Sequence, residues 1–326
     1  MAWLPPLIAT VAIAAGYFLY ARRKEKSPAP ETAHTRDILK KVRTIEFASK
    51  KAVEAVFSGE YHSAFKGRGM AFAEVRPYAP GDDVRSIDWN VTARMGEPFI
   101  KIFEEERELT VILAVDASAS GAFGTARFKS ESAAEICAAI AFSAIRNNDK
   151  VGLLVFTDKV ELNIPPRKGR RHVLRIIREL VAFSPSGKRT NIKAALDTLN
   201  HAAKKRAIVF LVSDFNDAGY ETSLRIAAKK HDLVAVRVTD PAETEMPDAG
   251  LARLRDPETG EEIMVDTSHR DFRARFSAAA KKRETDTRRL LAACRVDLIE
   301  VSTGADAFQP LEKFFQQREK RLAGGR

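Results

Sequence analysis

The sequence predicts an α/β fold, with a doubly wound and mostly parallel β-sheet between two layers of helices. From residue 108 onward, apolar runs long enough for buried strands alternate with segments of helical periodicity. Uninterrupted apolar strands need cover on both faces, and the intervening helices supply the crossovers that parallel strands require. The runs are VILAV (111–115), VGLLVF (151–156), IVFLVS (208–213), LVAVRV (233–238) and VDLIEV (296–301).

Helices and hairpins complete this predicted domain, which covers residues 108–322. Two shorter segments, around 160–164 and 251–265, are typical of hairpins attached to the sheet layer, and the second is expected to turn at Thr259-Gly260. Helices are expected near residues 126–147, 171–182, 191–203, 221–230 and 269–293.

Composition indicates a folded chain and leaves the class of partner open. The 326 residues are 45% hydrophobic and 30% charged, which is typical of globular proteins and excludes wholesale disorder. A net charge of +10 would attract anionic lipid, nucleic acid or an acidic protein alike. Cys137 and Cys294 lie in Ala-rich helical stretches, apart from any metal-ligand pattern, and are predicted to be core residues.

Residues 1–21 predict a single transmembrane helix. The run MAWLPPLIATVAIAAGYFLYA contains no charged residue, and about 20 residues at roughly 1.5 Å each just span the hydrocarbon core. Arg22-Arg23-Lys24 follows the run, whereas a cleaved signal peptide carries its positive charge before it. The positive-inside rule then predicts an inner-membrane protein whose remaining chain is cytoplasmic. The alternatives are a buried soluble helix or an uncleaved export signal.

Two further segments separate this anchor from the sheet. Residues 22–35 form a basic juxtamembrane segment and a linker, the latter rich in Pro, Ser and Thr. Residues 36–107 form an accessory region, which begins with an amphipathic helix to about Phe57 and continues as a Gly- and Pro-rich stretch with two strands.

Oxygen-bearing side chains follow the predicted strands, where ligands of open parallel sheets collect. A few carboxylates among several hydroxyls suit a hard divalent cation, which keeps an open position for a carboxylate from another molecule. The sequence therefore predicts a Mg²⁺ (or Mn²⁺) site. Its ligands are Asp116, Ser118 and Ser120 in VDASASG, Thr190 in SGKRTN, and Asp214 after IVFLVS. The alternative is that Asp116 and the serines cap a helix beginning near Thr125.

Two motifs resemble known families. Asp116-x-Ser118-x-Ser120 followed by Thr190 and Asp214 resembles the metal-ion-dependent adhesion site of the von Willebrand factor type A domain. The upstream sequence RPYAPGDDVRSIDW, followed by Ala-Arg, is similar to the signature of the bacterial domain-of-unknown-function 58 family. In that family the signature directly precedes a domain similar to the von Willebrand type.

This resemblance, which covers roughly residues 36–320, carries implications for fold and function. It implies a von Willebrand factor type A-like fold, in which Ser118, Ser120 and Thr190 touch the cation. Asp116 and Asp214 would bind the cation directly or through water. The resemblance also implies a membrane-associated cytoplasmic protein that works with a MoxR-type AAA+ ATPase in protein assembly or remodelling.

The segment GDDVRSIDW has two interpretations that the sequence leaves open. One is structural, with a turn, an acidic helix start and a packed Trp89. Its acidic residues would then join an ion-pair network with arginines, the set being Asp82, Asp83, Asp88, Arg76, Arg85 and Arg94. The other interpretation is a docking surface.

Enzymatic function finds little support in the sequence. The six His stand singly, and Gly187-Lys188-Arg189-Thr190 lacks the first Gly and the hydroxyl residue after Lys that a phosphate loop needs. A metal-dependent phosphoesterase at the same strand ends is the alternative, with Asp217 as its only extra ligand candidate. Basic runs at 167–171 and 204–206 lack the aromatic residues of a nucleic-acid site. The sequence therefore predicts a metal-dependent protein-interaction module, and not an enzyme, that captures an Asp or Glu of a partner.

Overall fold

The computed structural model describes residues 18–19, 40–50, 53, 61, 64–65, 70–105 and 108–324. The described chain divides into two compact units. The larger contains the residues up to Ala64 together with Thr110–Arg326, and the smaller is Phe65–Leu109.

A six-stranded sheet forms the centre of the larger unit. Its strands are β4 (Thr110–Asp116), β5 (Lys150–Phe156), β6 (Val160–Arg167), β7 (Ile208–Ser213), β8 (Asp232–Thr239) and β11 (Asp297–Ser302). Their order across the sheet is β11-β8-β7-β4-β5-β6, and every neighbouring pair is parallel except β5 and β6. The predicted mostly parallel sheet is confirmed, with the segment at 160–164 as its antiparallel edge hairpin.

Helices follow the strands as crossovers. The larger unit contains α1 (residues 40–50), α3 (Lys129–Arg146), α4 (Arg170–Ala182), α5 (Ile192–Ala202), α6 (Glu221–Lys230), α7 (Arg270–Ala293) and α8 (Phe308–Gly324). The first crossover, α3, is rich in small residues, and 13 of its 18 residues are buried. Among the described helices, none combines the length and apolar character that a bilayer crossing needs.

The core lies on both faces of the sheet, because successive side chains of a strand point to opposite sides. On one face, Ile112 and Ala114 of β4 pack in a cluster with residues of α5 and α6 and with Cys294. The alternate residues of β4 are also buried and face the side of α3, which contacts β4, β5 and β8. Cys137 of α3 is likewise buried, so both cysteines are core residues, as predicted.

A small antiparallel sheet also belongs to the larger unit. Strands β9 (Leu251–Arg255) and β10 (Glu262–Asp266) form the predicted hairpin, and Gly260 adopts φ +76°, which a turn there requires. The two-residue strand β1 (Phe18–Leu19) pairs with β9. Phe18 and Leu19 are therefore extended, whereas the sequence predicted a transmembrane helix over 1–21. The rest of that segment lies outside the described residues, as do residues 22–35 of the juxtamembrane segment and linker.

The predicted accessory region, 36–107, includes helix α1. Helix α1 belongs to the larger unit, where Lys41 pairs with Glu131 at 2.8 Å and Glu46 pairs with Arg170 at 2.6 Å. An amphipathic helix needs a partner for its apolar face. The larger unit provides this partner for α1, because Val42 is buried there.

The smaller unit contains the GDDVRSIDW segment. Strands β2 (Met70–Pro77) and β3 (Phe99–Glu105) pair antiparallel, and the seven-residue helix α2 (Trp89–Met95) is capped by Asp88. The expectation of a packed Trp89 is wrong, because this side chain is 67% exposed. Helix α2 is too short to offer a buried face, and none of its residues is buried. The predicted ion-pair network is represented by Arg76 and Asp82, which are 2.7 Å apart.

Candidate metal centre

The candidate centre lies where β4 and β7 end. These two strands are parallel neighbours. The chain leaves β4 through helix α3 and enters the sheet again at β5, on the side of β4 that is opposite to β7. Strand order thus reverses beside β4, and a crevice outside the carboxyl ends is expected at such a point. Asp116 is the last residue of β4, and Asp214 directly follows β7.

The carboxylate of Asp116 is held by hydrogen bonds at both oxygens. Its Oδ1 accepts from the backbone N–H of Ser118 at 2.9 Å, and its Oδ2 accepts from the hydroxyl of Ser213 at 2.7 Å. Burial and the neighbouring charge of Asp214 raise the pKa of Asp116 to about 7, against the opposing effect of these hydrogen bonds. A second negative charge beside Asp214 is therefore unfavourable without a cation.

The hydroxyls of Ser118 and Ser120 converge on the same place. Their oxygens are 3.0 Å apart, and the two residues are only 3% and 8% exposed. The backbone N–H of Ala119 donates to the carbonyl of Lys188 at 2.9 Å, which joins this loop to the loop that carries Thr190. Helix α3 begins at Lys129, and its N-cap makes no side-chain bond, so the helix-capping alternative is wrong.

Lys129 is a buried component of the centre that the sequence analysis missed. Its ammonium is 2.7 Å from Asp214 Oδ2 and 2.6 Å from Glu243 Oε1, and its side chain is 4% exposed. Burial alone would raise the pKa of Asp214, but the charge and hydrogen bond of Lys129 hold it below its usual value. A lysine in the first turn of a helix is electrostatically unfavourable, and this was the available signal for a specific partner.

Glu243 is positioned by the short 3₁₀ helix Pro241–Glu243 that follows β8. Its Oε2 accepts from the backbone N–H of Asp240 at 3.1 Å, while the side chain of Asp240 caps the start of this turn. The capping box leaves the other oxygen of Glu243 for Lys129. Nothing in the local sequence pairs positions 129 and 243, because 114 residues separate them.

Thr190 lies at the rim, and its hydroxyl makes a different contact from the one expected. It donates to Oε1 of Glu258 at 2.8 Å, a residue of the β9–β10 turn. A cavity of about 20 Å³, enough for one ion or water molecule, is lined by Asp116, Ser120, Lys129 and Asp214 among others. The structure thus gathers the predicted ligands other than Thr190 closely, and places Thr190 beside an additional carboxylate.

The loop before Thr190 is fixed by Glu161, a second residue that the sequence analysis missed. Its carboxylate accepts from the backbone N–H groups of Ser186 and Gly187, each at 2.8 Å, and from the Thr157 hydroxyl at 2.6 Å. Burial opposes ionisation, but these hydrogen bonds lower the pKa of Glu161 to about 2. Gly187 is required here, since an added Cβ would lie 2.0 Å from a carboxylate oxygen of Asp158.

The donor chemistry fits a hard divalent cation. All the predicted ligands offer oxygen, and Mg²⁺ and Mn²⁺ prefer carboxylate, hydroxyl and water ligands. In the described part of the chain, no group of three or more His, Cys, Asp or Glu side chains is arranged to hold a metal. Asp217, the extra ligand candidate of a phosphoesterase, instead accepts from the backbone N–H of Ile192 at 2.7 Å, at the start of α5.

Solved structures similar to this chain include a bacterial protein and a mussel protein. The conserved hypothetical protein BatB from Bacteroides thetaiotaomicron is 17% identical, with a TM-score of 0.43, covering 65% of this chain and 99% of its own. Proximal thread matrix protein 1 from the mussel byssus, described with a zinc-occupied MIDAS motif, is 18% identical, with a TM-score of 0.33. That likeness covers 40% of this chain and 38% of the mussel protein.

A family model and sequence relatives also match the chain. Residues 74–286 match the family described as protein of unknown function DUF58. The uncharacterized protein Rv1480 of Mycobacterium tuberculosis is 32% identical over 290 residues, which cover 87% of this chain and 90% of the relative. The uncharacterized protein YeaD of Bacillus subtilis is 30% identical over 108 residues, covering 33% of this chain and 25% of the relative. The family match includes every predicted metal ligand.

Replacing Lys129 with Met should lower the free energy of unfolding by about 3 kcal/mol or more, because Asp214 and Glu243 would lose their buried counter-charge. Denaturant unfolding followed by circular dichroism measures this quantity. Lys193→Met is the matched control, since Lys193 pairs with Asp197 at a side-chain exposure of 58% and should cost less than about 0.5 kcal/mol. Equal effects of the two substitutions would contradict the role given to Lys129.

Replacing Glu161 with Gln should destabilise the protein by about 1 kcal/mol at neutral pH, the usual scale for charge-assisted hydrogen bonds near the surface. The pKa of Glu161 is lower in the folded protein than its ordinary value of 4.5, so its charge stabilises the fold above that pH. The stability difference between wild type and variant should shrink as pH falls from 4.5 toward about 2. A pH-independent difference in denaturant titrations, or an equal loss in the exposed control Glu179→Gln, would rule this out.

Proposed function

The chain is a member of the family described as protein of unknown function DUF58, and we propose that it is a membrane-anchored, metal-dependent protein-interaction module. Its metal-ion-dependent adhesion site would capture a carboxylate of a partner. The observation that carries the proposal is the convergence of Asp116, Ser118 and Ser120 beside Asp214, at the point where strand order reverses. This is the arrangement that the resemblance to the von Willebrand factor type A domain implies.

Each residue of the centre has a separable role. A bound Mg²⁺ or Mn²⁺ would supply a coordination position that a carboxylate can take. Asp116 would hold the cation from the end of β4, with its orientation fixed by Ser213 and by the backbone of Ser118. Ser118 and Ser120 add oxygen without adding charge, which preserves the attraction of the cation for an incoming anion.

Lys129 supports the same function through charge. Asp214 and Glu243 bring two negative charges to the centre, and Lys129 offsets one of them at distances of 2.7 Å and 2.6 Å. A partner's carboxylate would therefore meet less repulsion than the number of acidic residues suggests. Because Lys129 already engages Asp214 Oδ2, Asp214 is suited to act on a cation through water or through its other oxygen.

The partner class follows from the resemblance and the site together. A carboxylate-capturing module fits a protein partner that presents Asp or Glu, and the resemblance favours a MoxR-type AAA+ ATPase. The proposed role is binding and not catalysis, because Lys129, the basic group in the lining of the small cavity, is engaged by Asp214 and Glu243 and so is not available to activate a nucleophile. The metal-dependent phosphoesterase remains the second candidate, and phosphoester hydrolysis dependent on added Mn²⁺ would favour it.

Substitutions at Asp116 and Ser118 should separate metal binding from partner binding. Asp116→Ala should abolish Mg²⁺ and Mn²⁺ binding in calorimetry while the protein stays folded, because the apolar part of β4 is unchanged. Ser118→Asp should retain the metal and lose the partner, since the added carboxylate keeps an oxygen ligand but repels the partner's carboxylate. The partner is the protein that purifies with the wild type from membranes in Mg²⁺.

The controls for this comparison are a chelator and a distant aspartate. Asp286→Ala removes a carboxylate whose side chain is 56% exposed on α7, and it should leave metal and partner binding unchanged. Chelation should weaken the wild-type complex. A complex that forms equally well in chelator would reject the adhesion-site mechanism, and unchanged metal binding by Asp116→Ala would reject the site itself.

The anchor can be tested independently of the metal. If residues 1–21 span the inner membrane with the remainder in the cytoplasm, the full chain should resist carbonate extraction. A reporter fused after Arg326 should then be active only if it is of the cytoplasmic type. Release by carbonate, or a mature protein that begins after residue 21, would contradict the anchor without affecting the metal centre.

A further inference from the structure

The turn between β9 and β10 places a carboxylate at the rim of the candidate metal centre. The Thr190 hydroxyl, which the sequence predicts as a metal ligand, donates to Oε1 of Glu258 at 2.8 Å. The two residues are 68 positions apart, so tertiary structure alone brings them together. Glu258, which is not part of the motif, thus contacts Thr190, one of the expected metal ligands.

Glu258 is held in this position by a built turn. Asp256, which is 2% exposed, accepts from the backbone N–H of Glu258 at 2.9 Å and from the hydroxyl of Thr259 at 2.8 Å. Its carbonyl accepts from the backbone N–H of Gly260 at 2.8 Å. These bonds satisfy the buried carboxylate of Asp256 and orient the turn, so the placement of Glu258 is specific.

The position of Glu258 suits a ligand of a cation. Its Oε1 and the Thr190 hydroxyl oxygen are 2.8 Å apart, close to the roughly 3 Å between neighbouring oxygen ligands that each lie about 2.1 Å from one Mg²⁺. The negative charge of Asp214 also acts on Glu258, so a cation bound between Asp214 and Thr190 would stabilise both carboxylates.

We propose that Glu258 is an internal ligand of the metal centre, which takes the coordination position that a partner's carboxylate would otherwise occupy. The inference rests on the proposed function, because it requires the cation to bind. Partner binding would then be a competition, in which an external Asp or Glu displaces Glu258 and the β9–β10 turn moves away from Thr190. The centre is thereby kept from binding carboxylates indiscriminately.

The test measures Mn²⁺ bound to the full chain and to Glu258→Gln. Glutamine keeps the shape of the side chain but removes its charge, so we expect about tenfold weaker Mn²⁺ binding. At saturating Mn²⁺, the water-proton relaxation rate measured with Glu258→Gln should exceed the rate measured with the wild type. The difference should equal the contribution of one additional coordinated water. Added acetate should then reverse this rise in the variant, and should have a much smaller effect on the wild type.

The matched control is Glu261→Gln, in the same hairpin and at an exposed position. It should resemble the wild type in Mn²⁺ affinity, relaxation and response to acetate, and thermal melts verify that all three proteins are folded. If Mn²⁺ binds but Glu258→Gln behaves like the wild type, the internal ligand is disproved and the proposed function stands. If the wild type binds no Mn²⁺, both fail.

Discussion

The candidate centre depends on one electrostatic constraint, which is that two carboxylates are buried at the same edge of a parallel sheet. The pairing of β4 with β7 sets Val115 beside Val212, so Asp116 emerges beside Ser213 and one residue away from Asp214. Asp116 and Asp214 are therefore close together, and burial increases the repulsion between their negative charges. Lys129 reduces this repulsion, because it brings a positive charge to Asp214 from the start of α3.

Much of the sheet could be predicted from sequence, because buried parallel strands and their crossover helices leave strong apolar periodicities. The motif residues could be predicted too, since Asp116 and Asp214 follow such strands directly. Helix α8 was missed, although Leu311, Phe314 and Phe315 are buried at helical spacing in it. This short amphipathic pattern lies at the end of the chain, beyond the last predicted strand.

The residues that complete the centre could not be found by pattern. Lys129, Glu243 and Glu258 come from three separate elements, and each contacts a residue at least 68 positions away. Their roles depend on the tertiary structure, in which a capping box orients Glu243 and a turn orients Glu258. The same limitation explains Trp89, whose exposure depends on whether a short helix finds a surface to cover it.

The two sides of the candidate centre differ in a way that determines how a partner would reach it. On the side of Asp214, Lys129 and Glu243 form a closed and deeply buried ion pair, so displacement there would expose unpaired charges at high cost. On the side of Thr190, the contact consists of hydrogen bonds that Thr190 donates to Glu258 in a partly exposed turn. If a partner's carboxylate replaced Glu258 at that position, the number of negative charges there would stay the same and no buried charge would be left unpaired. Access to the centre is therefore expected past Thr190 and the β9–β10 turn, and the acidic residue of the proposed partner would have to reach across this rim.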